Sequence, residues 1–201
     1  MRCKSETKRQ TIIEVAREVF EEHGFGGTSM SEIAARVGGS KATLYSYFAS
    51  KEELFVAVVR SFAETHLNEV FNALDATADL TLGLCAFGER FLSVIYRIDT
   101  VRAYRNLFVE AGNSPVGRMF YERGPQEGLT EVAAFLRHAM ALGKLREADP
   151  MLAAQHFLAL LKAEGFERIT LCVIEYLGPD EIAPMVARAV DVFLRAYAPE
   201  T

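Results

Sequence analysis

Between residues 29 and 48, two short stretches of helical period flank a pair of adjacent glycines, Gly38-Gly39. Neither stretch is long enough to be stable alone in water, so each must pack on a neighbour. Ser29-Met30-Ser31-Glu32 reads as a capping box: the serine accepts from the amide three residues on, and the glutamate reaches back. The helix it opens runs to about Val37, with Met30, Ile33, Ala34 and Val37 as its buried stripe. The glycines force a tight turn. Ser40 then caps a third helix, 41–48, in which Leu44 and Phe48 are four apart and face inward.

The flanks supply the neighbours. Residues 7–23 have helical period through Ile12, Ile13, Ala16, Val19, Phe20 and His23, which makes His23 a structural residue of a buried face. Gly24 is placed to end that helix and Phe25 to fold back on it. Ser50-Lys51-Glu52-Glu53 reads as a second capping box, opening a helix to about 74 with Leu54, Phe55, Val58, Phe62 and Val70 inward. Beyond it the spacing predicts helices near 80–97, 101–111, 115–122, 126–143, 150–175 and 180–198. Asp149-Pro150 and Gly178-Pro179 mark helix starts. No stretch alternates as a strand does. The expected fold is all-α: a three-helix helix-turn-helix domain over 1–50 and a helical bundle over 51–201, nine or ten helices in total.

Two short helices around a glycine turn fit the unit whose second helix enters the major groove of DNA. On that helix Lys41, Thr43, Ser46 and Tyr47 face out, with Tyr45 at the edge. A lysine, two hydroxyls and two tyrosines suit phosphates and base edges better than plain solvation. Ser40 and Lys51 stand at helix starts, where backbone amides also favour phosphate. The net charge of −5 argues against a nucleic-acid binder only if charge is spread evenly, and it is not. Residues 1–60 carry nine Lys/Arg and eight Asp/Glu, and the remaining 141 carry thirteen against nineteen. Arg2, Lys4, Lys8 and Arg9 cluster at the start, either as a basic arm on DNA or as a solvated terminus.

The run GFGGTSMSEIAARVGGSKATLYSYFASKEELF resembles the tetracycline-repressor (TetR) family of bacterial regulators. The matching residues are Gly27, Thr28-Ser29, Ile33-Ala34, Gly38-Gly39-Ser40, Leu44-Tyr45-Ser46-Tyr47-Phe48 and Lys51-Glu52-Glu53-Leu54. Gly39 replaces the usual valine of the turn, and Ala42 stands where glycine is common. The resemblance implies base contacts from Lys41, Ala42 and Thr43. It implies phosphate contacts from Tyr45, Tyr47, Thr28, Ser29, Ser40 and Lys51. NLFVEAGNSPVGRMFYERGP and LREADPMLAAQHFLALLK are similar to the AefR-like subgroup. That subgroup implies a small-molecule pocket in the C-terminal half and a homodimer through about 150–175 and 180–198. A two-fold dimer also follows from reading length, since one helix-turn-helix spans too few base pairs for specificity.

The expected function is a ligand-responsive repressor that binds a palindromic operator and is released by a small apolar or amphipathic effector. An activator, a ligand-independent regulator and a non-DNA interaction protein are the alternatives. Ligand candidates are Phe91, Phe108, Glu110, Phe120, Phe157 and Phe166; the alternative reading is ordinary core for the aromatics and a solvent-exposed position for Glu110. No nucleophile elbow, P-loop or glycine-rich dinucleotide turn is present, so no enzyme is expected. Four scattered histidines, His138 and His156 among them, offer no metal spacing, and neither metal nor cofactor is expected. Cys3, Cys85 and Cys172 are too far apart to read as pairs, which suits reduced thiols. The start MRCKSETKRQ is polar where an apolar signal core would begin, and no 18-residue apolar run exists. A cytoplasmic protein without membrane contact is expected.

Overall fold

The computed structural model describes residues 5–61, 67, 70–71, 74–76 and 79–199. Arg2, Cys3, Lys4 and Phe62 lie outside them. All regular structure among the described residues is helical: α1 (Glu6–Gly27), α2 (Met30–Arg36), α3 (Lys41–Tyr47), α4 (Lys51–Ser61), α5 (Leu80–Ile95), α6 (Ile98–Ala111), α7 (Val116–Glu122), α8 (Pro125–Ala141), α9 (Pro150–Lys162), α10 (Phe166–Thr170) and α11 (Pro179–Tyr197). No described helix is long and apolar enough to cross a membrane. The chain packs as two compact units, one from residues 1–62 with 103–123, the other from 63–102 with 124–201.

In the first unit Ile12, Ile13, Ala16, Val19 and Phe20 of α1 are buried against Ile33, Leu44, Phe48 and Leu54. Phe55 of α4 meets Phe20 and Phe25 edge-on at 5.1 and 5.0 Å, which fixes the end of α1 against α4. Gly24 has φ +66, so the helical path breaks there and the apolar stripe ends at Phe20. This corrects the reading of His23. It is exposed, and its Nε2 lies 3.1 Å from Glu32 Oε1 in a charge cluster with Glu22 and Arg36. Arg36 grips Glu22 at 2.9 and 2.6 Å. Its hydrogen bonds hold the Glu22 carboxyl below the usual carboxylate range. The first capping box is therefore half formed. Ser29 Oγ accepts from the Glu32 amide at 3.2 Å, while the Glu32 carboxylate turns to Arg36 and His23. In the second, Ser50 caps Glu53, and the Glu53 carboxylate accepts from Ala49 rather than Ser50.

Lys8 and Arg9, expected as part of an arm or solvated terminus, lie inside α1, because Ser5 caps the helix before them. Lys8 Nζ donates to the Val37 carbonyl at the end of α2, and the Arg9 guanidinium sits 5.3 Å over the Phe48 ring.

The second unit is organised by α5, α8, α9 and α11. Asp149 caps α9 by accepting from Met151 and Leu152, with Pro150 as first helical residue. Gly88 is where α5, α9 and α11 approach most tightly: a Cβ there would stand 2.7 Å from Val186 Cγ1 and 2.8 Å from Leu161 Cδ2. The Phe157 ring lies between Phe87 (6.0 Å) and Phe193 (5.0 Å).

The single helix expected over 150–175 is broken. α9 ends at Lys162 and α10 at Thr170. Gly165 lies in the gap because Tyr96 Oη, Leu177 Cδ1 and Met185 Cε would stand 2.8, 2.9 and 3.0 Å from a Cβ there. α10 then ends in a Schellman motif: Val173 N–H donates to Arg168 and Cys172 N–H to Ile169. The left-handed residue that motif requires is Cys172, at φ +59 and exposed. A side chain in that conformation costs about 1–2 kcal/mol, and glycine costs about 0.5–1 kcal/mol in unfolded-chain entropy. Cys172→Gly should therefore raise stability by about 0.5–1 kcal/mol, seen as a higher urea midpoint at unchanged slope. A lower midpoint would refute the strain.

Candidate nucleic-acid interface

The turn between α2 and α3 is a second Schellman motif. Gly38, at φ +69, donates to Ala35, and Gly39 donates to Ala34. Only Gly38 needs a left-handed backbone. Gly39 is exposed, and a Cβ there would meet nothing within 4 Å. The turn sets the angle at which α3 leaves the head, and Leu44 and Phe48, both 2% exposed, pin it down. Ser40 Oγ accepts from the Thr43 amide at 3.0 Å and lies 2.9 Å from Thr43 Oγ1. What remains outward is a compact polar face: Lys41, Ala42, Thr43, Tyr45 and Ser46 are all exposed. Tyr45, expected at the edge, is the more exposed tyrosine at 44%. Tyr47, expected to face out, is half-buried against the head core. The reason is helical phase: 47 sits one turn beyond the buried Leu44.

Ser29 is exposed at the start of α2, its Oγ occupied by the Glu32 amide. Thr28 and Lys51 hold the head together. Thr28 is buried, and its hydroxyl donates to the Gly24 carbonyl at 2.7 Å, with the Val19 carbonyl at 3.3 Å. Lys51 Nζ donates to the carbonyls of Phe25 (2.7 Å) and Thr28 (3.0 Å) and stands 4.2 Å from the Phe25 ring centroid. It closes the end of α1 onto the start of α4 with two charge-assisted bonds and a cation–π contact.

The six residues named as ligand candidates fall in both units. Phe108 (exposed), Glu110 (half-buried) and Phe120 (buried, 5.2 Å from the Tyr104 ring) belong to the first. Burial in that neighbourhood pushes the Tyr104 phenol up to about 12. Phe91, Phe157 and Phe166 belong to the second. Phe157 is fully buried, Phe91 is half-buried and stacks on Phe87 at 5.7 Å, and Phe166 is half-buried with the Lys162 ammonium 5.8 Å from its ring. Burial holds the Lys162 ammonium below the usual lysine range. Sequence reasoning missed the clamp made by Lys8. Its only signal was the positive charge, which read equally as a phosphate contact.

Two short helices joined by a glycine turn, the second presenting a lysine, hydroxyls and a tyrosine on a rigid head, define a helix-turn-helix protein. The chain belongs to the TetR family. Residues 12–58 match the model of bacterial regulatory proteins of the tetR family, and residues 83–199 match the C-terminal domain of AefR-like transcriptional repressors. A solved structure of the flavonoid-responsive regulator FrrA is similar, with a TM-score of 0.84 and 34% identity over 98% of this chain and 100% of that one. A TetR-family regulator from Mesorhizobium loti is similar with a TM-score of 0.82 and 28% identity, over 97% and 98%. The HTH-type transcriptional activator FasR of Mycolicibacterium smegmatis is 36% identical over 94 residues, 47% of this chain and 43% of that protein. The repressor AcnR of Corynebacterium diphtheriae is 30% identical over 109 residues, 51% and 56%. The chain thus spans about half the length of these curated relatives.

Proposed function

We propose that this protein is a ligand-responsive transcriptional repressor that binds a palindromic operator as a homodimer. The observation that carries the reading is the exposed polar face of α3, held at a fixed angle by the Gly38 turn and the buried Leu44 and Phe48. Residues 1–50 form the reading head, and residues 51–201 carry the effector and dimer surfaces. Lys41, Ala42 and Thr43 meet base edges, and Tyr45, Tyr47, Ser29 and Ser40 meet phosphates. Thr28 and Lys51 support that surface from beneath, with backbone amides at the starts of α2 and α4 as their contribution to phosphate binding. The dimer forms through about 150–175 and 180–198. Leu152 and Val192, at 46% and 50% exposure on α9 and α11, support that face. The work is done in the cytoplasm, where the DNA is.

The effector is a small apolar or amphipathic molecule. The similarity to a regulator described as flavonoid-responsive favours a flat aromatic one. Its effect on DNA affinity equals its differential affinity for the free and bound dimer, and no more. A second reading, activation, has the relative named as an activator in its favour. The same head serves both, and the operator's position relative to the promoter separates them.

The test is a gel shift of the purified protein on DNA upstream of its own gene, across a salt series. Repressor binding predicts a discrete dimer complex whose log affinity falls linearly with log salt, and which a cognate effector dissolves. Binding that ignores sequence on that DNA and in a random-sequence selection would overturn the reading.

A further inference from the structure

The connection from α10 to α11 puts apolar side chains into water from a fixed backbone. Its turn is closed by the Leu171 amide on the Glu167 carbonyl (2.9 Å) and the Val173 amide on the Arg168 carbonyl (2.8 Å). Ile169 and Leu177 are buried on either side, and Ile174 is half-buried against the same core. These anchors decide which side chains point out. Leu171, Val173 and Tyr176 are 71, 69 and 68% exposed, and Leu171, Cys172 and Val173 are exposed apolar residues in succession. A chain rarely keeps such a run in water unless it is used. Over residues 171–176 the three large side chains expose on the order of 350 Å², the scale at which apolar surface on a monomer marks an interaction site.

What covers this surface follows from what α9 and α11 lack. Their exposed large apolar side chains are Met151, Leu152 and Val192, at only 37, 46 and 50%. The rest of their outward face is mostly small or polar, as at Gln155, Ala159, Ala187 and Asp191. A stable dimer covers about 800 Å² on each protomer, and homodimer interfaces are more apolar than ordinary surface. The connection is continuous in chain with this face and adds roughly two-fifths of the area needed. In a two-fold dimer the same patch serves both partners, so charges left unpaired would meet their own kind. Here the arginines of α11 are answered within one protomer: Arg188 stands 2.6 Å from Glu164, and Arg195 stands 3.0 Å from Asp191. Two copies of the face can therefore meet.

We propose that residues 171–176 form an arm of the homodimer interface, with Leu171, Val173 and Tyr176 buried against a second copy of the chain. The inference rests on the homodimer proposed above and names where that dimer draws its apolar contact, reaching past the helices to Tyr176. The closed turn presents these side chains already in place, so little ordering entropy is lost on docking. Tyrosine is among the residue types that most often dominate the energy of an interface. The contact involves no residue of the reading head and is independent of whether the protein represses or activates.

The experiment is sedimentation equilibrium of the full-length protein without DNA. Wild type is expected to be dimeric. Leu171→Asp with Val173→Asp, and Tyr176→Ala separately, should each raise the dimer dissociation constant about tenfold or more. Their far-ultraviolet circular dichroism should match wild type, because the replaced side chains are exposed in the protomer. The chain has no tryptophan, so Tyr176→Trp places a sole indole on the arm. In the dimer, acrylamide should quench it several-fold less than free tryptophan. An indole quenched as readily as free tryptophan in a dimeric sample overturns the arm. Unchanged dimerisation of both arm variants also overturns it; if Leu152→Asp with Val192→Asp then dissociates, the homodimer stands through its helices alone. A wild type that stays monomeric at every concentration overturns the homodimer itself, and the arm with it.

Discussion

Phe157→Ala is expected to lower the free energy of unfolding by about 3–5 kcal/mol. The ring has no exposure, lies 5.0 Å from Phe193 and 6.0 Å from Phe87, and sits in the core of the second unit. Helices fixed by the close approach at Gly88 have little freedom to collapse into the space, which puts the cost toward the upper end. Against a typical net stability of about 5–15 kcal/mol, that is a large share. Phe157→Leu keeps most of the volume and should cost about 1–2 kcal/mol. Urea unfolding of the three proteins decides between the two sequence readings of this residue. A core ring gives the large loss. A ring that lines an existing ligand space already borders a void, so its removal would cost about 1 kcal/mol or less, and that outcome would restore Phe157 as a ligand residue.

The helix-turn-helix was legible because its determinants are local. Ser29, Ser40 and Ser50 cap the helices that follow them, Gly38 adopts the left-handed turn, and Leu44 and Phe48 point inward as their spacing demands. Asp149-Pro150 opened α9 for the same reason. What failed were residues whose surroundings come from distant chain. His23 continued the period of α1, but the break at Gly24 turned it to the charge cluster of Arg36. Lys51 stands at a helix start as its sequence position implies, but the hydrogen bonds of its ammonium to the carbonyls of residues 25 and 28 come from chain that the local pattern does not show. The run over 150–175 is apolar enough for one helix. Gly165 interrupts it because Tyr96 and Leu177, about 70 and 12 positions away, occupy the space of its missing side chain.

Lys41→Glu should weaken operator binding by about 1–3 kcal/mol for each half-site, hence about 2–6 kcal/mol for the dimer on its palindrome. The expectation follows from the proposed reading head. Lys41 is exposed at the first position of α3, and no ion pair holds it among the described residues. Reversing its charge removes an attraction to DNA and adds a repulsion, at a point where the cap of Ser40 leaves the helix intact. A glutamate in the first turn of a helix favours the dipole, so the fold should be unharmed and the melting temperature unchanged. Loss of binding would then report the interface and not unfolding. Lys41→Ala separates the two roles that remain. If the ammonium meets a base edge, random-sequence selection with the alanine variant should return a motif relaxed at one position per half-site. If it meets phosphate, the motif should hold while the slope of log affinity on log salt falls by about 1 per half-site. Operator binding by Lys41→Glu as tight as wild type would remove Lys41 from the interface, and the exposed Tyr45 face would become the next place to look.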